Sequence, residues 1–172
     1  MSNGSQPGQA PAPAPVVVRF VRTHPKAVAP RRMTGGAAGH DLAACLGDEV
    51  REIRPLGRMR VPTGLRIAIP RGFEGQVRPR SGWADSAGIT VLNAPGTIDA
   101  DYRGELIVLL VNLGAEPVSI RHGDRIAQLV IAPVVAAHFE CAGDQGLPEG
   151  PADGPSGATT ARGDGGFGST GR

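Results

Sequence analysis

Apolar and polar side chains alternate through the middle of the chain. Leu65, Ile67 and Ile69 are separated by Arg66 and Ala68, the period of two that marks a half-buried strand. Val16–Val18 open another strand. Residues 105–113, ELIVLLVNL, form an apolar run that fits a strand buried on both faces. Arg125–Ala132 and Val134–Glu140 follow as further strands. Turn signals fall between them at Pro70–Gly72, Asn93–Gly96, Gly114–Pro117 and Gly123–Asp124. No long segment carries a helical period, and the one predicted helix is short, around Gly82–Ala87. Many short strands at even spacing predict an all-β fold, a sandwich or barrel of the jelly-roll type.

The two ends differ from this middle. Residues 1–15 are rich in Pro, Ala and Gln, and residues 142–172 in Gly, Pro and Ala; such compositions bury too little apolar surface to build a core. The foldable part is 16–141, enough for one ordinary domain. Only one Trp, one Tyr and four Phe are present, so the core is aliphatic. A net charge of +2 gives no general grip on nucleic acid or a membrane. Cys45 and Cys141 belong to no CxxC pair, which fits a reducing, cytoplasmic setting. Neither a signal peptide nor a membrane-spanning stretch is expected.

The candidate chemistry begins in the last residues, RGDGGFGSTGR, Arg162–Arg172. Glycines let backbone N–H groups approach phosphate oxygens. Arg162 can fork onto a phosphate, Ser169 and Thr170 add hydroxyls, and Phe167 offers a face for a base to stack on. Gly163, Gly165 and Gly168 spell GxGxxG, but no strand precedes them and no helix can follow, so this is not the dinucleotide fingerprint. A Walker loop needs a lysine before Ser/Thr, and the only lysine is Lys26. Taken alone, the run also reads as a plain glycine-rich tail.

Four more segments stand out. AAGHDLAA, Ala37–Ala44, holds Asp41 in a small-residue turn. PRSGWA, Pro79–Ala84, lets Arg80, Ser81 and Gly82 open a helix, whose N-terminus attracts anions. NAPGTIDADYRGE, Asn93–Glu105, reads as a hairpin with two carboxylates and the only tyrosine. GDRIAQLV, Gly123–Val130, places Gln128 mid-strand. Each has a plainer reading: Asp41 as a turn cap, Asp124 as a structural turn residue, Gln128 as a solvent-facing strand residue, Tyr102 as core. His24, His40, His122 and His138 show no metal-ligand spacing, and no Ser/His/Asp triad follows from order or spacing.

In this order, the five segments resemble the trimeric deoxyuridine triphosphatase (dUTPase) family over about residues 16–172. PRSG, GTIDADYRGE, GDRIAQL and RGDGGFGSTG each follow the family pattern nearly letter for letter. The resemblance implies a β jelly roll with a flexible C-terminal arm, forming homotrimers whose active sites draw on all three chains. It implies Mg²⁺-dependent hydrolysis of dUTP to dUMP and pyrophosphate, which limits uracil in DNA and supplies dUMP for thymidylate synthesis. Asp99 would be the general base that activates the attacking water; a carboxylate ionised at neutral pH can accept that proton. Mg²⁺ would be held by triphosphate oxygens and waters, with Asp41 reaching it only through water. Arg80, Ser81, Gly82 and Gln128 would bind phosphates, and Arg162, Gly168, Ser169 and Thr170 the far end of the triphosphate. Asn93 and the backbone around Thr97, Ile98 and Ile107 would read uracil. Tyr102 would lie under the deoxyribose and Phe167 would stack on the base. His40 and Trp83 depart from the family pattern, which usually has a tyrosine or another hydrophobic residue at the first position and leucine at the second; His40 reads as packing, and Trp83 either as a packing variant or as a contact for a neighbour's arm.

Two alternatives remain open. A dCTP deaminase shares the fold, but such enzymes carry a different hairpin and need a glutamate over the base. A non-catalytic nucleotide-binding trimer would be favoured by loss of Asp99 or of the tail, and both are present.

Overall fold

A computed structural model describes residues 15–143. Of these, residues 15–135 form one unit, built almost wholly of antiparallel strands. Ten strands and one helix follow one another: β1 (Arg19–Arg22), β2 (His40–Ala43), β3 (Arg51–Ile53), β4 (Arg58–Ala68), β5 (Phe73–Arg78), α1 (Ser81–Ala87), β6 (Ile89–Val91), β7 (Gly96–Ile98), β8 (Glu105–Asn112), β9 (Val118–Ile120) and β10 (Arg125–Pro133). One four-stranded sheet has the order β1-β4-β8-β6, a second β2-β10-β5-β7, and β3 pairs with β9 as a ribbon.

The expected aliphatic core lies between the inner faces. The first sheet contributes Val61, Ile67, Ile89, Val108 and Leu110; the second adds Leu42, Val77, Ile126 and Leu129; the ribbon adds Ile53 and Ile120. A smaller cluster joins Ala27, Cys45 and Leu65. Gly64, at φ +68°, sits against it, and a Cβ there would meet Ala27 Cβ and Cys45 Sγ at 2.8 Å. Burial, with help from the Glu105 carboxylate, pushes the Cys45 thiol above its ordinary pKa, so Cys45 packs as a neutral side chain. Both cysteines are free thiols.

Several expectations are corrected. Val16–Val18 precede the strand instead of opening it: β1 begins at Arg19, opposite Ala68, the last residue of β4, so β4 ends before those valines could pair with it. Val134–Glu140 is not a strand. Its partner β5 starts at Phe73, opposite Pro133, and only the Val134 N–H to Gly72 carbonyl bond, 2.9 Å, extends past that point. The run at 105–113 is buried throughout on one face and only in part on the other, where Val111 is buried. Leu106, Val108 and Leu110 are inside, while Ile107 and Leu109 lie half-buried on the outer face. No helix among the described residues is long and apolar enough to cross a membrane.

Candidate active site

Strand alternation decides which polar residues can meet. In the second sheet, Gln128 of β10 stands opposite Asp41 of β2 on one side and Arg78 of β5 on the other. Direct cross-strand partners share a face, so all three project from the outer surface, away from Leu42, Val77 and Leu129. Asp41 therefore lies in β2 and not in a turn, correcting the expectation for it. Its backbone is fixed further by reciprocal hydrogen bonds with Arg31: the Asp41 N–H donates to Arg31 O at 2.8 Å, and the Arg31 N–H donates to Asp41 O at 3.3 Å. His40, one residue earlier, lines an apolar hollow with Val18, Ile67 and Leu129, as a packing residue does.

Arg80 follows β5 and occupies the cap position of α1 in an extended conformation (φ −91°, ψ 124°) without a side-chain cap bond. The first-turn N–H groups of a helix have no partner within it, so those of Ser81 and Gly82 are available to an outside acceptor. Arg80 reaches back over the sheet. Its Nη1 donates to the Arg125 carbonyl at 3.0 Å, and its Nε stands 3.8 Å from Asp41 Oδ1. Arg125 Nη1 donates to Asp41 Oδ2 at 3.0 Å. Gln128 Nε2 donates to the Pro79 carbonyl at 2.9 Å, while its Oε1 packs against Gly39 so closely that no Cβ fits at that glycine. Asp41, Arg80, Ser81, Gly82 and Gln128 thus form one polar surface, with a surplus of positive charge once Arg125 is included.

The segment with the predicted uracil and sugar contacts is built differently from a simple hairpin. β6 and β8 pair with each other in the first sheet, whereas β7 between them crosses to pair with β5 in the second. The crossing turn contains a cis Ala94–Pro95 bond, and Gly96 packs against Asn93, whose Nδ2 is 3.1 Å from where a Cβ would stand. Asn93, Thr97 and Asp99 are exposed. Ile98 packs toward the core. Tyr102 N–H donates to Asp99 O at 3.1 Å, and Tyr102 Oη donates to Glu105 O at 2.9 Å, with the ring lying over Gly104 so that only glycine fits there. Arg103 Nη1 donates to the carbonyls of Ala100 and Tyr102, both at 2.7 Å, and so pins the turn that follows Asp99. Among the described residues no hydrogen bond or ion pair engages the Asp99 carboxylate. Ile107 sits opposite Pro62 in the first sheet, on the sandwich face opposite the Asp41–Gln128 surface.

One chain therefore gathers the predicted phosphate ligands and, separately, the predicted base and nucleoside contacts. Arg162, Phe167, Gly168, Ser169 and Thr170 lie outside the described residues. Sequence reasoning passed over Arg125, Gly39 and Arg103. For Gly39 and Arg103 the signal was proximity to Asp41 and Tyr102 within segments already singled out. Trp83 is half-buried against the core, as a packing variant should be. Asp124 is structural as read, its Oδ2 accepting the Arg121 N–H at 2.7 Å.

Comparison with known proteins gives the family. Residues 25–171 match the family model described as dUTPase. The deoxyuridine 5'-triphosphate nucleotidohydrolase of Dinoroseobacter shibae is 56% identical over 147 residues, covering 83% of this chain and 87% of that protein. The protein of the same name from an Anaeromyxobacter species is 52% identical over 161 residues, covering 93% and 99%. Among solved structures, a variant of the Staphylococcus bacteriophage 80alpha dUTPase with dUpNHpp superimposes with a TM-score of 0.75 at 22% identity, over 91% of this chain and 99% of the other. The fold, the order of the motifs and these relatives place the chain in the dUTPase family.

Proposed function

We propose that this chain hydrolyses dUTP to dUMP and pyrophosphate in the cytoplasm, as a homotrimer whose sites are each assembled from more than one copy. The observation that carries the shared site is a separation. Asp99 follows Ile98, which pairs with Gly75 near the start of β5, whereas Arg80 lies just past its end. β5 is 6 residues long, and at ~3.3 Å per residue the two groups stand about 20 Å apart along it. That is too far for one chain to grip a triphosphate and attack it. A second copy that brings its Asp99 beside the first copy's Arg80 and Gln128 closes the gap. The half-exposed apolar face of Ile107 and Leu109 on β8 supports such association, since exposed apolar patches mark contact surfaces.

In the assembled site the Asp99 carboxylate accepts a proton from water as the water oxygen attacks the α-phosphorus. The bond from that phosphorus to the bridging oxygen breaks, and pyrophosphate leaves with the electron pair. Arg80, Gln128 and the N–H groups of Ser81 and Gly82 offset the charge that builds on the phosphates. Asn93 and the backbone at Thr97, Ile98 and Ile107 fix uracil. Tyr102, held by its bond to Glu105, carries the deoxyribose. Arg162, Phe167, Gly168, Ser169 and Thr170 of the C-terminal arm close over the nucleotide and exclude water. Among the described residues no group of three His, Cys, Asp or Glu side chains could cage a metal. Mg²⁺ would be held by the triphosphate oxygens and waters, with the Asp41 carboxylate placed to reach it through water, and it would neutralise phosphate charge. No nucleic acid or membrane partner is proposed.

Incubation with dUTP and with dCTP, assayed for pyrophosphate and ammonia, tests the reaction. Pyrophosphate from dUTP without ammonia from dCTP is expected. Ammonia from dCTP, or neither product, overturns the reading.

The shared site has its own test. Light scattering should give about three times 17.7 kDa. Asp99→Asn and Arg80→Ala chains, each nearly inactive alone, should regain activity when co-expressed, because some mixed sites then pair an intact Asp99 with an intact Arg80. No recovery in mixed trimers would place both groups in one chain's site.

Gly39 gives a third prediction. A Cβ there displaces the end of Gln128, and the bond to Pro79 breaks. Gly39→Ala should raise KM for dUTP about fivefold, the worth of one hydrogen bond, with an unchanged melting temperature. An unchanged KM would remove Gln128 from the phosphate site.

A further inference from the structure

β10 contains an irregularity that determines where Arg125 points. In its pairing with β2, Ala127 stands opposite Leu42, but Arg125 stands opposite Ala43, so the register shifts by one residue between them. Ile126 and Ala127 are adjacent in sequence and both buried, 1% and 0% exposed. An unbroken strand would alternate, putting Ile126 outside and Arg125 inside. The extra residue of the bulge turns Ile126 inward and returns Arg125 to the outer face that holds Gln128 and Asp41. Bulges commonly re-aim a side chain beside a site.

We propose that Arg125 is a positioning residue that keeps Arg80 free for the phosphates of the substrate; this rests on the reading of Arg80 given above. Asp41 lies between the two guanidinium groups. Arg125 Nη1 holds its Oδ2 at 3.0 Å, and Arg80 Nε stands off at 3.8 Å from Oδ1. The Arg125 carbonyl meanwhile accepts from Arg80 Nη1 at 3.0 Å. One residue thus anchors Arg80 by its main chain and occupies Arg80's competitor by its side chain. Without the Arg125 guanidinium, Asp41 loses its nearest cation and turns to Arg80, whose planar fork suits a carboxylate as well as a phosphate. Arg80 is then tied up in a neutral pair with Asp41, the face keeps Arg78 but loses one positive charge, and its pull on triphosphate weakens. Arg125 itself need not touch the nucleotide.

Steady-state kinetics on the full-length protein test this. Arg125→Ala should raise KM for dUTP about tenfold, the loss of one charge-assisted hydrogen bond, with kcat within about twofold and a native melting curve. Arg125→Lys, which keeps one donor and the charge, should recover most of that loss. The decisive variant is Arg80→Ala/Arg125→Ala. If Arg125 acts through Arg80, the double variant is no worse than Arg80→Ala alone, a non-additivity that independent contributions cannot give. Additive losses, a failed rescue by lysine or an unchanged KM in Arg125→Ala would overturn the positioning role while leaving the phosphate site intact. An Arg80→Ala variant with wild-type KM would overturn both that site and the role of Arg125 in it.

Discussion

Asp99→Asn lowers kcat for dUTP by about 10²–10⁴-fold, the range a positioned general base supplies, while dUTP still binds. The substitution is nearly isosteric. The bond that shapes the turn uses the Asp99 backbone carbonyl and the Tyr102 N–H, and Arg103 pins the same turn through the carbonyls of Ala100 and Tyr102. None of these involves the Asp99 carboxylate, so the nucleoside contacts should survive its loss. An amide cannot accept the proton of the attacking water, and only the chemical step suffers. Pyrophosphate release in single turnover should report the fall in rate, and calorimetry with a non-hydrolysable dUTP analogue should report near-native affinity. Wild-type turnover in the variant would remove Asp99 from the role of base.

Asn112→Ala costs about 3 kcal/mol of stability without touching the site. Asn112 ends β8 and is fully buried, at 0% exposure. Its Nδ2 donates to Ile53 O at 2.9 Å and to Glu116 O at 2.8 Å, and its Oδ1 accepts the Gly114 N–H at 2.9 Å. One amide thus joins the end of β3, the end of β8 and the loop that leads into β9. Alanine leaves all three backbone groups without that partner; the Ile53 carbonyl is buried, and an unsatisfied buried group costs more than a hydrogen bond gains. Melting temperatures at one fixed protein concentration should show a fall of several degrees. Asn112→Asp should be at least as damaging, since a carboxylate would face the Ile53 and Glu116 carbonyls in place of the donor they need. A melting temperature within a degree of wild type would mean that water replaces the side chain there.

The strands that sequence alone located are those whose alternation persists. β4 carries Leu65 and Ile67 inward as their spacing requires, and α1 spans nearly the residues expected of it. The failures have local causes. Val16–Val18 and Val134–Glu140 have strand-forming sequences but no partner strand among the described residues, and pairing, not propensity, decides whether such segments join a sheet. The Asn93–Glu105 segment reads as a hairpin because its turn signals are genuine; that β7 leaves one sheet for the other depends on contacts with β5, far away in sequence. Asp41 looked like a turn residue among small neighbours, whereas Gly39 is small to admit Gln128. Arg125 was hidden by the bulge. It is separated from Gln128 by an odd number of positions, and strict alternation places such a pair on opposite faces. The motifs named the proposed chemical groups. What remained hidden was that a single chain holds them apart.

On the proposed shared site, the span of β5 would also make turnover depend on dilution. A site whose base and phosphate ligands come from different copies exists only while those copies are joined. Specific activity should hold constant above the dissociation range of the assembly and collapse below it, which a self-sufficient monomer would not show. Nucleotide bound across the junction contacts both copies and so favours the joined state by mass action. Saturating substrate should then protect a dilute sample from inactivation, and the onset of collapse should move to lower protein concentration as dUTP rises.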